Sequence, residues 1–453
     1  MAAEGQLSSS TPEGWAARLA ILRSAPRELW LVLLASFLGT VAYALVHMSL
    51  HLYVIEDLSF SREQAGTFLT AWAAAIAVAS ILIGCLVDAL GVRRALLLSF
   101  GLCAVTRALS AFLQHPWLAP VVAFLPMAFG VAMAAPVMVA ALRRYASPLQ
   151  RPMAFALYYL VPQLGFVVAG RGFDWIRKLM AHQRVAADQG GASILSVWES
   201  CFLVAAGVTL VALVPMALWL RQGAEMSEQG LRLDAPPDGA TPPTRRSRSA
   251  VASILIAAGT IMLDALRRSS AYRLLLLVAL LAGMRGCFTL LAATDGLANA
   301  ISADSRDDTG LWWVLSALPV AACLLAAVAV RASSLRTVAL GASLCAASAF
   351  LLVLPSASSP WLGRLGFACG EAIIIPRVLQ YVAEVAPKGR VATYASLSSM
   401  PGLLIGTAAT QLADPTVVVV GGSNVHWTWL LAIGTVACGP VALWGLRRVI
   451  DPR

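Results

Sequence analysis

Successive stretches of about twenty predominantly apolar residues limit what this chain can fold into more than any other feature. Twelve can be read, at about 29–53, 64–87, 95–113, 117–142, 153–170, 196–220, 271–293, 311–330, 337–354, 360–382, 391–412 and 427–446. Hydrocarbon offers no partner to a peptide group, so each stretch must satisfy its own backbone as a helix. The composition agrees: 59% of residues are apolar and 12% are charged, where a soluble domain carries about a quarter charged. The chain reads as an all-α membrane protein with twelve transmembrane helices.

Basic residues set its orientation. With the N-terminus inside, inner segments hold Arg93, Arg94, Arg143, Arg144, Arg151, Arg331, Arg336, Lys388, Arg390, Arg447 and Arg448. Outer loops hold Arg62, Arg306 and a small group around Arg171, Arg177, Lys178 and Arg184, with the acids Asp304, Asp307 and Asp308. Both termini are therefore expected in the cytoplasm. The net charge of +10 is accounted for by these inner arginines, without nucleic acid. Met1 to about Arg27 shows no signal-peptide h-region with a cleavage site, and Arg18, Arg23 and Arg27 read as a cytoplasmic flank. The plasma or an inner membrane is expected.

The chain divides into a tail 1–28, a six-helix bundle 29–220, a linker 221–270, a second six-helix bundle 271–446 and a tail 447–453. Residues 221–250 are rich in Gly and Pro and contain Arg245-Arg246-Ser247-Arg248, the composition of a flexible linker. Residues 251–268 read as an interfacial helix on the inner leaflet, or else as an extension of the seventh span.

The loop after span two reads Gly84-Cys85-Leu86-Val87-Asp88-Ala89-Leu90-Gly91-Val92-Arg93-Arg94. Gly84 permits close helix approach and Gly91 a tight turn. Asp88 ends span two on the side where span eleven begins, so the positive end of that helix is offered to its carboxylate. Arg93, Arg94, Arg143 and Arg144 are bases on the same side. The corresponding loop of the second half, Arg331 to Arg336, has no matching acid.

A repeat links the halves. Gly130, Pro136, Pro148 and Arg151 in and after span four correspond to Gly370, Pro376, Pro387 and Arg390 in and after span ten. Gly130, Pro136, Gly370 and Pro376 mark bendable helices.

These motifs resemble the major facilitator superfamily of secondary transporters. The resemblance implies two pseudo-symmetric six-helix halves, a substrate site near the midplane between them, and a cytoplasmic gate built on Gly84, Asp88, Gly91, Arg93, Arg94, Arg143 and Arg144. Ala89 stands where the family often carries a base. The stretch Gly370-Glu371-Ala372-Ile373-Ile374-Ile375-Pro376, with Ala386-Pro387, resembles the tenth helix of the proton-coupled oligopeptide transporter branch. Ala271-Tyr272-Arg273 and Arg285 are similar to its seventh. Span one, Ser36 to Tyr43, lacks that branch's charged residues.

Ionisable groups inside spans mark functional candidates. With a rise of about 1.5 Å per residue, Arg285 lies roughly 20 Å in from the inner side and Glu371 roughly 16 Å in from the outer side, so they can meet. Glu371 is a proton site or a partner for a cationic group of the solute, with a static ion pair as the alternative. Arg107 either binds an anionic group or braces its half. Tyr43, Tyr158, Tyr159, Gln163 and Arg377 complete the candidate substrate residues, and at most one of Tyr158 and Tyr159 faces a common cavity. His47 and His51 share one helix face and read as interfacial, without a third ligand for zinc.

No P-loop, Ser/His/Asp set, metal set or cofactor motif is visible, and the cysteines lie in apolar segments without a CxxC pair. The expectation is a non-enzymatic secondary transporter without cofactor or metal. It would act as a monomer in the bilayer on a small polar or charged solute, with proton coupling. A uniporter or an exporter of the same superfamily is the nearest alternative, and a transporter-like receptor or scaffold the more distant one.

Overall fold

A computed structural model describes residues 22–188, 195–227, 230–233, 250–294, 321, 334–353, 359–412 and 425–450. The eighth span apart from residue 321, Arg331, and the linker run Arg245-Arg246-Ser247-Arg248 lie outside these residues. The first half comprises α1 (Arg27–Glu56), α2 (Arg62–Leu90), α3 (Val92–Ser110), α4 (Leu125–Tyr145), α5 (Arg151–Asp188) and α6 (Val197–Trp219). A short hairpin, β1 (Glu225–Ser227) and β2 (Gly230–Arg232), leads into the linker helix α7 (Ala250–Leu266). The second half shows α8 (Ser269–Thr294), α9 (Ser334–Val353), α10 (Ser359–Val385), α11 (Val391–Leu412) and α12 (Val425–Val436).

Eight of the described helices are long and apolar enough to cross a membrane. Their side chains are apolar nearly all round, as lipid contact on one face and protein on the other require. Helix ends carry local signals. Ser61 opens α2 by accepting from Gln64 N at 3.2 Å, while Gln64 Oε1 accepts from Ser61 N at 2.9 Å. Ser196 and Glu199 repeat this capping box at α6, at 3.0 and 2.7 Å. Prolines remove donors from the ladder. At Pro120 and Pro440 the helix widens into π turns, over Ala119–Phe124 before α4 and Ala437–Val441 after α12. α4 and α10 run on through Pro136 and Pro376.

The helices pack into three principal cores. One lies at the end of the bundle carrying residues 84–94, here the motif end. It joins both halves: Leu96, Val137, Leu142 and Phe155 of the first with Val382, Ala386 and Tyr394 of the second. A second core, at the far end, draws on the first half alone, around Tyr53, Phe124 and Phe202. The third belongs to the second half, around Leu281, Phe288 and Phe367, whose rings stack at 3.7 Å.

The linker is tied at both ends. Arg221 Nε pairs with the buried Glu28 at 2.6 Å, and Arg144 Nε donates to Ala224 O at 2.8 Å. α7 is separated from α8 by a turn at Arg267–Arg268. It lays Ala258 and Ile261 on Cys85 of α2 and leaves Ile256 and Leu263 exposed. An apolar face turned outward at this level suits the edge of a bilayer.

Candidate functional site

At the motif end a buried carboxylate and a close helix contact join the two halves. Asp88, 5% exposed, accepts from Ala392 N at 3.1 Å with Oδ1, and from Thr393 N at 2.8 Å and Thr393 Oγ1 at 2.6 Å with Oδ2. These are the first residues of α11, whose amides have no partner within the helix. A buried anion there meets both the orphan donors and the positive end of the dipole. Gly84 brings the two backbones together: a Cβ at this position would lie 2.5 Å from Ala392 O. Gly91, with φ of 81°, ends α2 and starts α3 in one residue.

The arginines of the motif act at carbonyl ends. Arg93 Nη2 donates to Ala217 O at 2.8 Å, in the last turn of α6. Arg143 Nη1 crosses between halves to Ala386 O, just past α10, at 2.7 Å. A cation at a helix C-terminus is favoured by the same dipole that favours Asp88 at an N-terminus. Arg94 is exposed. In the second half, Arg390 pairs with Asp264 of α7, which also holds Arg268 at 3.0 Å.

Gly130 and Gly370 are contact points as well as repeat markers. A Cβ on Gly130 would meet Cys103 Sγ of α3 at 2.7 Å, and one on Gly370 would meet Gly341 O of α9 at 2.8 Å, with Cys345 Sγ beside it. The repeat thus extends to the neighbouring helices, each presenting a cysteine to a glycine. No spacing rule in the sequence linked those cysteines to the glycines.

A cavity of about 520 Å³ lies between the halves. Ser80 and Tyr158 face it from the first half, and Arg285, Glu371, Ser398 and Ser399 from the second. Its volume is that of a small-molecule site, about 300–1,000 Å³. Arg285 Nη1 lies 3.2 Å from Glu371 Oε1, with side chains 60% and 20% exposed. A second chamber, of about 270 Å³, lies within the first half around Arg107, Tyr43 and Thr40. Val131, Ala135 and Tyr158 line both.

Three of the expected substrate residues line neither chamber. Tyr159 is one residue from Tyr158, about 100° around the helix, and Gln163 is five residues on, about 140° away. Arg377 is six residues from Glu371 and so about 120° around α10 from it. There it donates to Gln380 Oε1 at 3.1 Å and borders a small pocket with Tyr381 and Ile450. Ser80, Ser398, Ser399 and Thr209 were not singled out from sequence, because a hydroxyl in an apolar span carries no signal of its own. His47 stacks on Tyr43 with centroids 5.7 Å apart. Among the described residues, no group of three His, Cys, Asp or Glu is placed to hold a metal.

Residues 32–410 match the sequence model of the Major Facilitator Superfamily. The chain belongs to this superfamily. The transporter is an integral multi-pass membrane protein and not an enzyme. Its fold is similar to that of the human organic anion transporter MFSD10 (TETRAN), with a TM-score of 0.62 and 16% identity over 91% of this chain and all of that one. It is also similar to a POT family transporter in complex with 5-aminolevulinic acid, with a TM-score of 0.61, 14% identity, and 94% and 97% of the two chains covered. FucP in its outward conformation gives a TM-score of 0.58 at 13% identity, over 92% and 98%. No curated protein sequence matches the chain.

Proposed function

We propose that this transporter moves a small polar or charged solute by alternating access, with Glu371 coupling the movement to protons. The observation that carries the reading is the place of the Arg285–Glu371 pair at the wall of the cavity, with Arg285 the exposed partner. A pair serving as a static brace is best sealed from water, whereas here the guanidinium is 60% exposed at the wall of a cavity between the halves. Protonation of Glu371 removes the charge that holds Arg285, and the freed guanidinium can then donate to an acceptor oxygen of the solute. Rocking of the halves changes which side reaches the cavity. The Asp88 contact is the gate on the motif end, which the basic residues place in the cytoplasm. Similar folds serve an organic anion transporter and a POT transporter seen with 5-aminolevulinic acid, and a small charged solute is in keeping with both.

The test is uptake into proteoliposomes from a panel of amino acids, peptides, nucleosides, sugars and organic anions. A solute should accumulate only under an inward proton gradient. Glu371→Gln should lower gradient-driven accumulation at least tenfold while solute exchange persists. Equal uptake without a gradient sinks the coupling and leaves a facilitator. Binding without flux of any solute points to a receptor.

A further inference from the structure

The chamber inside the first half holds a cation that the Arg285–Glu371 mechanism does not use. Arg107 is 3% exposed. Its Nη1 donates to Thr209 Oγ1, and its buried Nε has no hydrogen-bond partner. No carboxylate pairs with it among the described residues. Thr209 is already engaged, donating to Ala205 O at 2.6 Å. A guanidinium has five donors in a rigid fork, and one shared hydroxyl is a poor return for burying it. A brace between α3 and α6 needs no charge, and an uncompensated buried charge destabilises its host.

The space beside it is built for something else. The chamber of about 270 Å³ is walled by Phe100, Phe166, Met138 and Val131, with Tyr43 and Thr40 as polar neighbours. A planar two-oxygen anion satisfies a guanidinium fork through two parallel hydrogen bonds. The remaining wall is largely apolar and aromatic, with the hydroxyls of Ser36, Ser99 and Thr209 among it. Arg285 and Glu371 cancel, so the two chambers together carry one net positive charge, which a monoanion neutralises and a dianion overshoots.

We infer that the Arg107 chamber is the subsite for the carboxylate head of a small amphipathic organic monoanion, whose apolar body lies against Phe100 and Phe166. The inference rests on the reading of the chain as a solute carrier and names the class of solute. It predicts that charge, not shape, decides occupancy.

The experiment is equilibrium binding to the purified full chain in detergent, followed by calorimetry and thermal shift, with no gradient imposed. Benzoate and hexanoate are the probes; benzamide and hexanamide are their neutral counterparts. Each carboxylate should bind at least tenfold more tightly than its amide and raise the melting temperature. Arg107→Gln should lose at least tenfold in carboxylate affinity, with Arg107→Lys intermediate, and ligand-free Arg107→Gln should melt no lower than the parent. Amides binding as tightly as carboxylates, or neither class binding, overturns the inference. So does a glutamine variant that keeps carboxylate affinity, or one that folds but melts several degrees lower, which marks a brace. The carboxylate–amide comparison on the parent protein decides the matter if the variant does not fold. Failure of proton coupling leaves this result untouched, because no flux enters it.

Discussion

Among the described residues the two ends of the bundle are joined to different degrees, and under the proposed alternating access the difference marks where the halves would part. At the motif end a single core takes in all six helices of the first half and α8, α10 and α11 of the second, with Asp88 and Arg143 making polar contacts across the seam. At the far end the described core of the first half stays within that half, and its polar contacts do the same: Ser196 Oγ donates to Asp57 Oδ2 at 2.6 Å, and Trp198 Nε1 to Glu56 Oε2 at 2.8 Å. Apolar burial gives bulk adhesion without direction. The carboxylate on a helix end adds direction and can be broken as a unit. Under the proposed mechanism, the seam at the motif end is the contact that the carrier would open.

The comparison is most severely tested at Gly84. Gly84→Val forces side-chain atoms into the space held by Ala392 O and Ser396. Overpacking of this kind costs about 1–3 kcal/mol, and here it falls on the closed state alone. Transport should drop by more than about tenfold, since 1.4 kcal/mol is a factor of ten. A cysteine placed at Val382, buried in the shared core, should label rapidly from the motif end. Slow labelling together with normal transport removes the seam from the mechanism.

Asp88→Asn is gentler. It keeps the shape, removes the charge from the start of α11 and presents an amide donor where an acceptor stood. Losing a charge-assisted bond costs about 1.5–3 kcal/mol, partly offset by the acceptor that remains. The same cysteine probe should react about tenfold faster than in the parent. Asp88→Glu, too long for the site, should fall between. Unchanged labelling in Asp88→Asn means the apolar core alone holds the end shut.

Asp264→Asn touches the seam from outside and should have the smallest effect. Asp264 is 41% exposed and pairs with Arg390 and Arg268, and exposed pairs contribute about 0–1 kcal/mol. With Cys85 as the sole cysteine, its maleimide labelling under α7 should rise by only about two- to fivefold at this cost. A larger change would make α7 part of the gate rather than a cover over it.

Much of this arrangement was legible in the sequence, for reasons that differ by residue. The spans follow from hydropathy alone. That Arg285 and Glu371 meet follows from helix rise and a count of residues from each side. The closeness of Asp88 to the start of α11 follows from topology once orientation is fixed. What escaped depends on rotation about a helix axis and on neighbours far apart in sequence. Arg377 and Gln163 join the candidate residues as polar side chains within spans, and helix rotation sets each more than 100° around its helix from the neighbour that lines a chamber. The cysteine opposite each repeat glycine is set by packing between helices, as is the hydroxyl of Thr209 beside Arg107.

Val131, Ala135 and Tyr158 form a partition with a chamber on either side. Space gained by one compartment through a tilt of α4 or a turn of the Tyr158 ring is taken from the other. An occupant beside Arg107 would thereby be felt at Arg285 and Glu371 without touching them, and thermodynamic linkage would make the influence mutual. The partition would serve this carrier as a transmission: it converts filling of one compartment into pressure on the ion pair in the next.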